Sequence, residues 1–200
     1  AYLEEIGLIY QPHTSAGRVP TEKGFRLFVD ELMDSIPKSI QEKQQAMLDL
    51  NRRIAFKDME MCLRDSISLL ADVTQNVCFV TLPWRKDAYY LGIYHVLRTP
   101  EFRDAFRASS IVEVLEDTDN FLQYLEQLNI DRKVRVYIGN ENLIPEIKSC
   151  SCLLFSYDLG KGYNGIIGIL GSTRMRYAYN ISALNYLRDD LEKTYSKKTN

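Results

Sequence analysis

Basic charge is what this sequence has too little of. Lysine and arginine together number 25 against 27 aspartates and glutamates, a net charge of −2, so the bulk of the chain offers no positive surface to a polyanion. Any nucleic-acid contact has to come from a local patch or from a part outside this chain. Histidine is scarcer still, with only two residues, and nucleophilic catalysis by a Ser or Cys with a base has nothing to build on. Neighbouring carboxylates such as Glu4-Glu5 and Asp189-Asp190 diverge on helices as solvated faces do, so no enzyme is expected. The four cysteines, Cys62, Cys78, Cys150 and Cys152, are too sparse for a disulfide framework and suit a reducing, cytoplasmic setting. No apolar run approaches the roughly 18 residues that span a bilayer. The longest are short stretches such as residues 165–170, and a soluble chain without membrane contact is expected. Only 6 prolines and 10 glycines, beside 46% hydrophobic residues, exclude disorder over most of the length. Ala1 stands already inside a Leu/Glu pattern, with neither initiator Met nor export-signal composition, so the sequence reads as a piece of something longer.

What is present is ordered periodicity. Tyr2-Leu3-Glu4-Glu5-Ile6 reads as a helix end stopped at Gly7. Leu8-Ile9-Tyr10-Gln11-Pro12 and Arg18-Val19-Pro20 read as two short strands around the small polar tip His13-Thr14-Ser15-Ala16-Gly17. Thr21 caps a helix with Phe25, Phe28, Val29, Leu32 and Met33 on one face. Pro37 interrupts, and residues 38–53, rich in Gln, Lys, Arg and Glu, read as a solvated connecting helix or as a linker. Residues 57–75 are helical again, aligning Leu63, Ile67, Leu70 and Thr74, and lead into a strand over residues 77–82 closed by Pro83. An extended run over residues 89–96 follows, then helices over 100–116 and 118–129, the second capped by Asp117 or Thr118 with Phe121, Leu122, Leu125 and Leu128 as its buried stripe. Residues 133–138 alternate as a half-buried strand, and residues 141–147 form a short helix. Strands at 150–157 and 163–170 make a hairpin, and a long helix begins near Arg174 with Tyr177, Ile181, Leu184, Leu187 and Leu191 stepping by three and four. The mixed order with a terminal hairpin predicts an α+β class with an antiparallel sheet.

Other motifs carry less. Cys150-Ser151-Cys152 on a strand puts both sulfurs on one face, where they act as small hydrophobes more readily than as metal ligands. Ser172 or Thr173 suits a cap of the last helix, with anion binding there as the lesser alternative. The glycines between 160 and 171 lack the order of a phosphate loop. Trp84 reads as an aromatic at the edge of a core. Neither metal nor cofactor is expected.

Tyr2-Leu3-Glu4-Glu5-Ile6-Gly7-Leu8-Ile9 and the run from Pro12-His13-Thr14-Ser15-Ala16-Gly17-Arg18-Val19-Pro20 through Thr21-Glu22-Lys23-Gly24-Phe25-Arg26 resemble the HrcA family of bacterial heat-inducible transcription repressors. So do, in register, Leu69-Leu70-Ala71-Asp72-Val73-Thr74, Pro100-Glu101-Phe102-Arg103-Asp104, Ile138-Gly139-Asn140-Glu141-Asn142 and the stretch from Gly165 to Ala178. The resemblance implies a winged helix-turn-helix domain that binds a CIRCE inverted-repeat operator upstream of chaperone operons, a GAF-like domain, an inserted dimerising domain, and dependence on a GroE-type chaperonin. It divides the chain into residues 1–35, a winged-domain remnant with recognition-helix tail, wing and following helix; 36–56, a linker helix; and 57–200, a GAF-like antiparallel sheet with helices. Most of the inserted domain is missing near residues 86–90, and the first helices of the winged domain are expected before Ala1. On this reading the chain is a negative regulator of heat-shock operons that binds double-stranded DNA as a homodimer. A small wing tip suits phosphates or the minor groove, with His13, Thr14, Ser15 and Arg18 as donors and Lys23 and Arg26 as possible phosphate contacts. The alternative is a GAF-like small-molecule sensor or dimerisation scaffold without direct DNA binding, and a sensor predicts a sizeable apolar pocket with a few polar groups.

Overall fold

The computed structural model describes residues 2–33, 35–36 and 59–196. The chain opens with a one-turn helix, α1 (Tyr2–Glu5), ended by Gly7 at φ 72. There Gly7 N donates to Glu4 O at 3.0 Å and Leu8 N to Leu3 O at 2.9 Å, the paired bonds that close a helix through a left-handed residue. Strands β1 (Ile9–Tyr10) and β2 (Val19–Pro20) then pair antiparallel. Helix α2 (Glu22–Met33) follows, capped as expected by Thr21, whose Oγ1 accepts from Gly24 N at 3.1 Å.

The body is one five-stranded antiparallel sheet in the order β4-β3-β7-β6-β5, from β3 (Val77–Leu82), β4 (Asp87–Leu91), β5 (Arg135–Ile138), β6 (Cys150–Asp158) and β7 (Asn164–Ser172). Helices cover both of its faces. On one side α3 (Met59–Thr74) and α7 (Tyr177–Ser196) bring Leu63, Ile67, Leu70, Ile181 and Leu184 against Cys78, Val80, Phe155 and Ile169. On the other, α4 (Ile93–Leu97), α5 (Ala105–Glu116) and α6 (Thr118–Gln127) bring Val96, Ile111, Leu115 and Phe121 against Phe79, Cys152, Leu154 and Leu170. This double cover explains why β3 is buried at every position and reads as an unbroken apolar run, although antiparallel strands usually keep one wet face. The class is α+β, a GAF-like antiparallel sheet with helices.

Several expected boundaries shift. The extended run over 89–96 stops at Leu91, because Gly92 takes φ 89 and starts α4, which turns His95 and Val96 inward. The helix expected from residue 100 begins at Ala105, where Asp104 accepts from Phe106 N and Arg107 N, and Pro100–Phe102 is a separate 3-10 turn. The short helix over 141–147 becomes two 3-10 turns, Gly139–Glu141 and Pro145–Ile147, since Pro145 disfavours helical backbone at Ile144. The last helix starts at Tyr177, not near Arg174. Ser172 Oγ does accept from Arg174 N at 3.1 Å, but it caps a turn closed by Met175 N on Ser172 O. On α2, Val29 is 1% exposed whereas Phe28 is 50% exposed and Met33 is also outside. The side chain of Leu32 and the helix or linker reading of residues 38–53 lie outside the described residues.

Candidate nucleic-acid interface

The hairpin tip is held by a side chain to which the sequence reading assigned no role. Gln11 Nε2 donates to Thr14 O at 3.0 Å and to Ala16 O at 2.8 Å, and Ala16 N donates to His13 O at 2.9 Å. One amide thus pins the loop's backbone, and His13, Thr14 and Ser15 are exposed. No local pattern marks Gln11 for this role, since the side chains that habitually bond turn backbone are Asn, Asp, Ser and Thr. Arg18 is half exposed, with a 3.4 Å contact from its Nε to Glu4 Oε2. An exposed pair of that length is worth little, about 0.2–1 kcal/mol, so its guanidinium remains available to a stronger anion. All four residues expected at the tip are exposed, with Arg18 turned toward Glu4 of α1.

Lys23 and Arg26 are placed differently. Lys23 Nζ donates to Ile6 O at 3.0 Å, tying α2 to the end of α1. Arg26 faces the body: its Nε donates to Glu141 Oε1 at 2.8 Å, its Nη2 to Val136 O at 2.6 Å and also to Glu141 Oε2. Burial alone would lower the Arg26 pKa, but the Glu141 and Asp30 carboxylates outweigh it and raise it further. Glu141 is itself oriented by Ile138 N at 2.8 Å. One turn earlier, Glu22 Oε2 accepts from Asn140 N at 3.2 Å and from Asn140 Nδ2 at 3.1 Å. Phe25 and Tyr177 meet with ring centroids 5.6 Å apart. Glu22, Phe25, Arg26 and Val29 thus form one face of α2 at helical spacing, applied to the body. The fork of Arg26, expected as a possible phosphate contact, is occupied by a carboxylate and a carbonyl from β5 and the turn after it.

Elsewhere the chemistry is quiet. All four cysteines are reduced and buried; Cys150 and Cys152 share one face with Leu154 and Leu170, and burial pushes the Cys150 thiol up to about 12. Among the described residues, no group of three or more His, Cys, Asp or Glu side chains could hold a metal ion, and no helix is long and apolar enough to cross a membrane. Trp84 packs edge-on against Tyr163 at 4.9 Å. A cavity of about 770 Å³ opens beside α6 over Leu122, Leu125, Ile130 and Ile166, the size a sensor's pocket would have. Its buried polar groups are already paired: Tyr157 Oη donates to Thr81 O at 2.7 Å, and Thr81 Oγ1 accepts from Ile166 N at 2.8 Å.

The family model described as the HrcA protein C terminal domain matches residues 29–181, from the buried Val29 of α2 to Ile181 of α7. The chain belongs to the HrcA family. Among its HrcA relatives, the heat-inducible transcription repressor HrcA of Ruminiclostridium cellulolyticum is 22% identical, the match covering 98% of this chain and 85% of the relative. That of Acetivibrio thermocellus is 23% identical over 96% of this chain and 83% of the relative. The first alignment runs over 298 residues against the 200 of this chain, so a sizeable part of the relative's aligned length has no counterpart here. The HrcA fold of this chain is also that of a solved structure described as the crystal structure of a hypothetical protein at 2.2 Å resolution, at 17% identity and a TM-score of 0.73 over 99% of this chain and 85% of the other.

Proposed function

We propose that this chain serves in the cytoplasm as a negative regulator of heat-shock, chaperone-type operons, with the β1–β2 hairpin as the wing of a DNA-binding domain. The relatives that span nearly all of it are heat-inducible transcription repressors. The observation that supports the reading is the hairpin tip: its backbone is braced by Gln11 while His13, Thr14, Ser15 and Arg18 are exposed. Such a tip supplies hydrogen-bond donors to phosphates or the minor groove, which position a protein without reading bases. The chain would act as a homodimer on a CIRCE-type inverted repeat, each wing on one half-site, because operator symmetry mirrors protein symmetry. The net charge of −2 suits this division of labour, since an acidic body resists adhesion to DNA at large and leaves affinity to the winged heads. A GroE-type chaperonin is the protein partner on this reading.

The test is a fluorescence-anisotropy titration of the protein from its complete gene against an inverted-repeat duplex and a scrambled one at several salt concentrations. Preference for the repeat is expected, and Arg18→Ala should weaken binding to both duplexes alike and flatten the salt dependence by roughly one phosphate's worth of slope, about 0.9 in log–log terms. Equal, weak binding to both duplexes, or a salt slope untouched by Arg18→Ala, contradicts the proposal.

A further inference from the structure

Helix α2 touches two partners over the same turns. Its first residues are joined to the root of the hairpin: Thr21 N donates to Leu8 O at 3.0 Å, Thr21 Oγ1 to Gly7 O at 2.7 Å, and Lys23 Nζ to Ile6 O. Gly24 lies so close that a Cβ there would stand 2.2 Å from Leu8 O. The opposite face carries Glu22, Phe25, Arg26 and Val29 against the body. Hairpin and helix therefore move as one piece, and whatever sets the angle of α2 sets the angle of the tip.

We propose that Glu22 and Arg26 are positioning residues for DNA recognition, clamping α2 to the Gly139–Glu141 corner so that the body dictates where the wing points. The proposal rests on the DNA-binding reading above. Among the described side chains of α2, Phe25 and Val29 make the apolar contact with the core of the body, and two residues one turn apart lie along a single line that resists rolling poorly. The hairpin is not packed flat on the body either: a cavity of about 850 Å³, lined by Tyr10 and Pro20 on one side and Phe106, Arg107, Lys148 and Arg174 on the other, separates them. The polar clamp supplies the missing constraints. A planar guanidinium gripping a carboxylate through two nitrogens while donating to Val136 O defines a direction, where an ammonium would define only a distance. Glu22, bound by both amides of Asn140, stops movement along the axis. The corner is built for that carboxylate: Gly139 takes φ 54, and a Cβ on it would lie 2.2 Å from Glu22. Arg26 and Glu141 remain 30% and 38% exposed, so the clamp can loosen while the apolar contacts still hold α2 in place.

A dimer on two half-sites needs this constraint, because the second head engages at an effective concentration that falls as its orientation becomes freer. The test uses the full protein, with nitroxide labels at Gly17→Cys on the exposed loop of the hairpin and Lys161→Cys on the body for the distances and no label for the DNA affinities; a Cβ at Gly17 meets nothing within 4 Å, and the four native cysteines are buried. Two clamp variants are compared with the parent: Arg26→Lys, which keeps the charge a phosphate contact would need, and Gly139→Ala, which displaces Glu22 without touching the hairpin. Circular dichroism confirms that each remains folded. The expected result is one narrow label distance in the parent and a broad distribution in both variants, with affinity for the whole repeat falling roughly tenfold or more and affinity for a single half-site changing by less than about twofold. Narrow distances in both variants, or parallel loss of half-site and whole-site binding, overturn the clamp. A parent protein without preference for the repeat overturns the DNA reading itself, and with it the role of the clamp in recognition.

Discussion

His95 sits on α4 with its Nε2 buried and without a hydrogen-bond partner among the described residues. Desolvation lowers its pKa, and Arg98 adds to that while Asp72 opposes it. The folded protein therefore takes up this proton at a lower pH than the unfolded chain, whose histidine titrates near its ordinary value of about 6.5. The sign follows: stability is unaffected above that value and declines as pH falls through it toward the depressed folded pKa, where the unfolded state binds the proton and the folded state does not. Urea midpoints at pH 7.5 and pH 5 should drop more for the wild type than for His95→Leu, which cannot protonate. Equal drops would assign the acid sensitivity to other groups. Cys150 and Cys152 share one buried face, as alternation along a strand suggested, and burial pushes the Cys78 thiol up to about 12.

At the scale of elements, α2 is where sequence and structure part company. Periodicity correctly yields a helix capped by Thr21, yet places Phe28 and Met33 on its buried side and reads Lys23 and Arg26 as cations for DNA. The partners that redirect Glu22 and Arg26 lie 118 and 115 residues away, beyond the reach of any local pattern. Gly24 shows the same effect in sterics. In an isolated helix, Gly→Ala stabilises by roughly 0.5–1 kcal/mol, but here the new methyl group meets the Leu8 carbonyl, and forced overpacking costs about 1–3 kcal/mol. The second term wins. Gly24→Ala should destabilise the hairpin root, seen as faster amide exchange at Thr21, whose N–H is held by Leu8 O, and as easier proteolysis between Gln11 and Gly17. Unchanged exchange would show that the hairpin and α2 are not rigidly joined.

For the molecule as a whole, the central strands β3, β7 and β6 carry apolar side chains to both faces, so the two helix layers share one backbone ladder. Phe79 meets Phe121 edge-on at 5.0 Å on one face, and Leu63 is fully buried on the other. Truncation to alanine should cost about 3–5 kcal/mol at Phe79 and 2–5 kcal/mol at Leu63, each shifting a single transition seen alike by Trp84 emission and far-UV circular dichroism. Two separated transitions would mean that the layers unfold independently. The double cover was only partly legible, because the apolar run of β3 signals burial on both faces without naming what covers them.

The sequence by itself determined the kinds of elements, most of their inward stripes, the α+β class and the exposed polar tip, since periodicity, caps and turn residues act over a few neighbouring positions. Only the tertiary structure decided which charged groups the body holds. Arg18 and Arg26 lie eight residues apart with the same charge, but one keeps only a long, half-exposed contact with Glu4 while the other is gripped by Glu141 and Val136. An ion pair is settled by whichever partner the fold brings within reach, and the fold brought Glu141 to Arg26 from the far half of the chain.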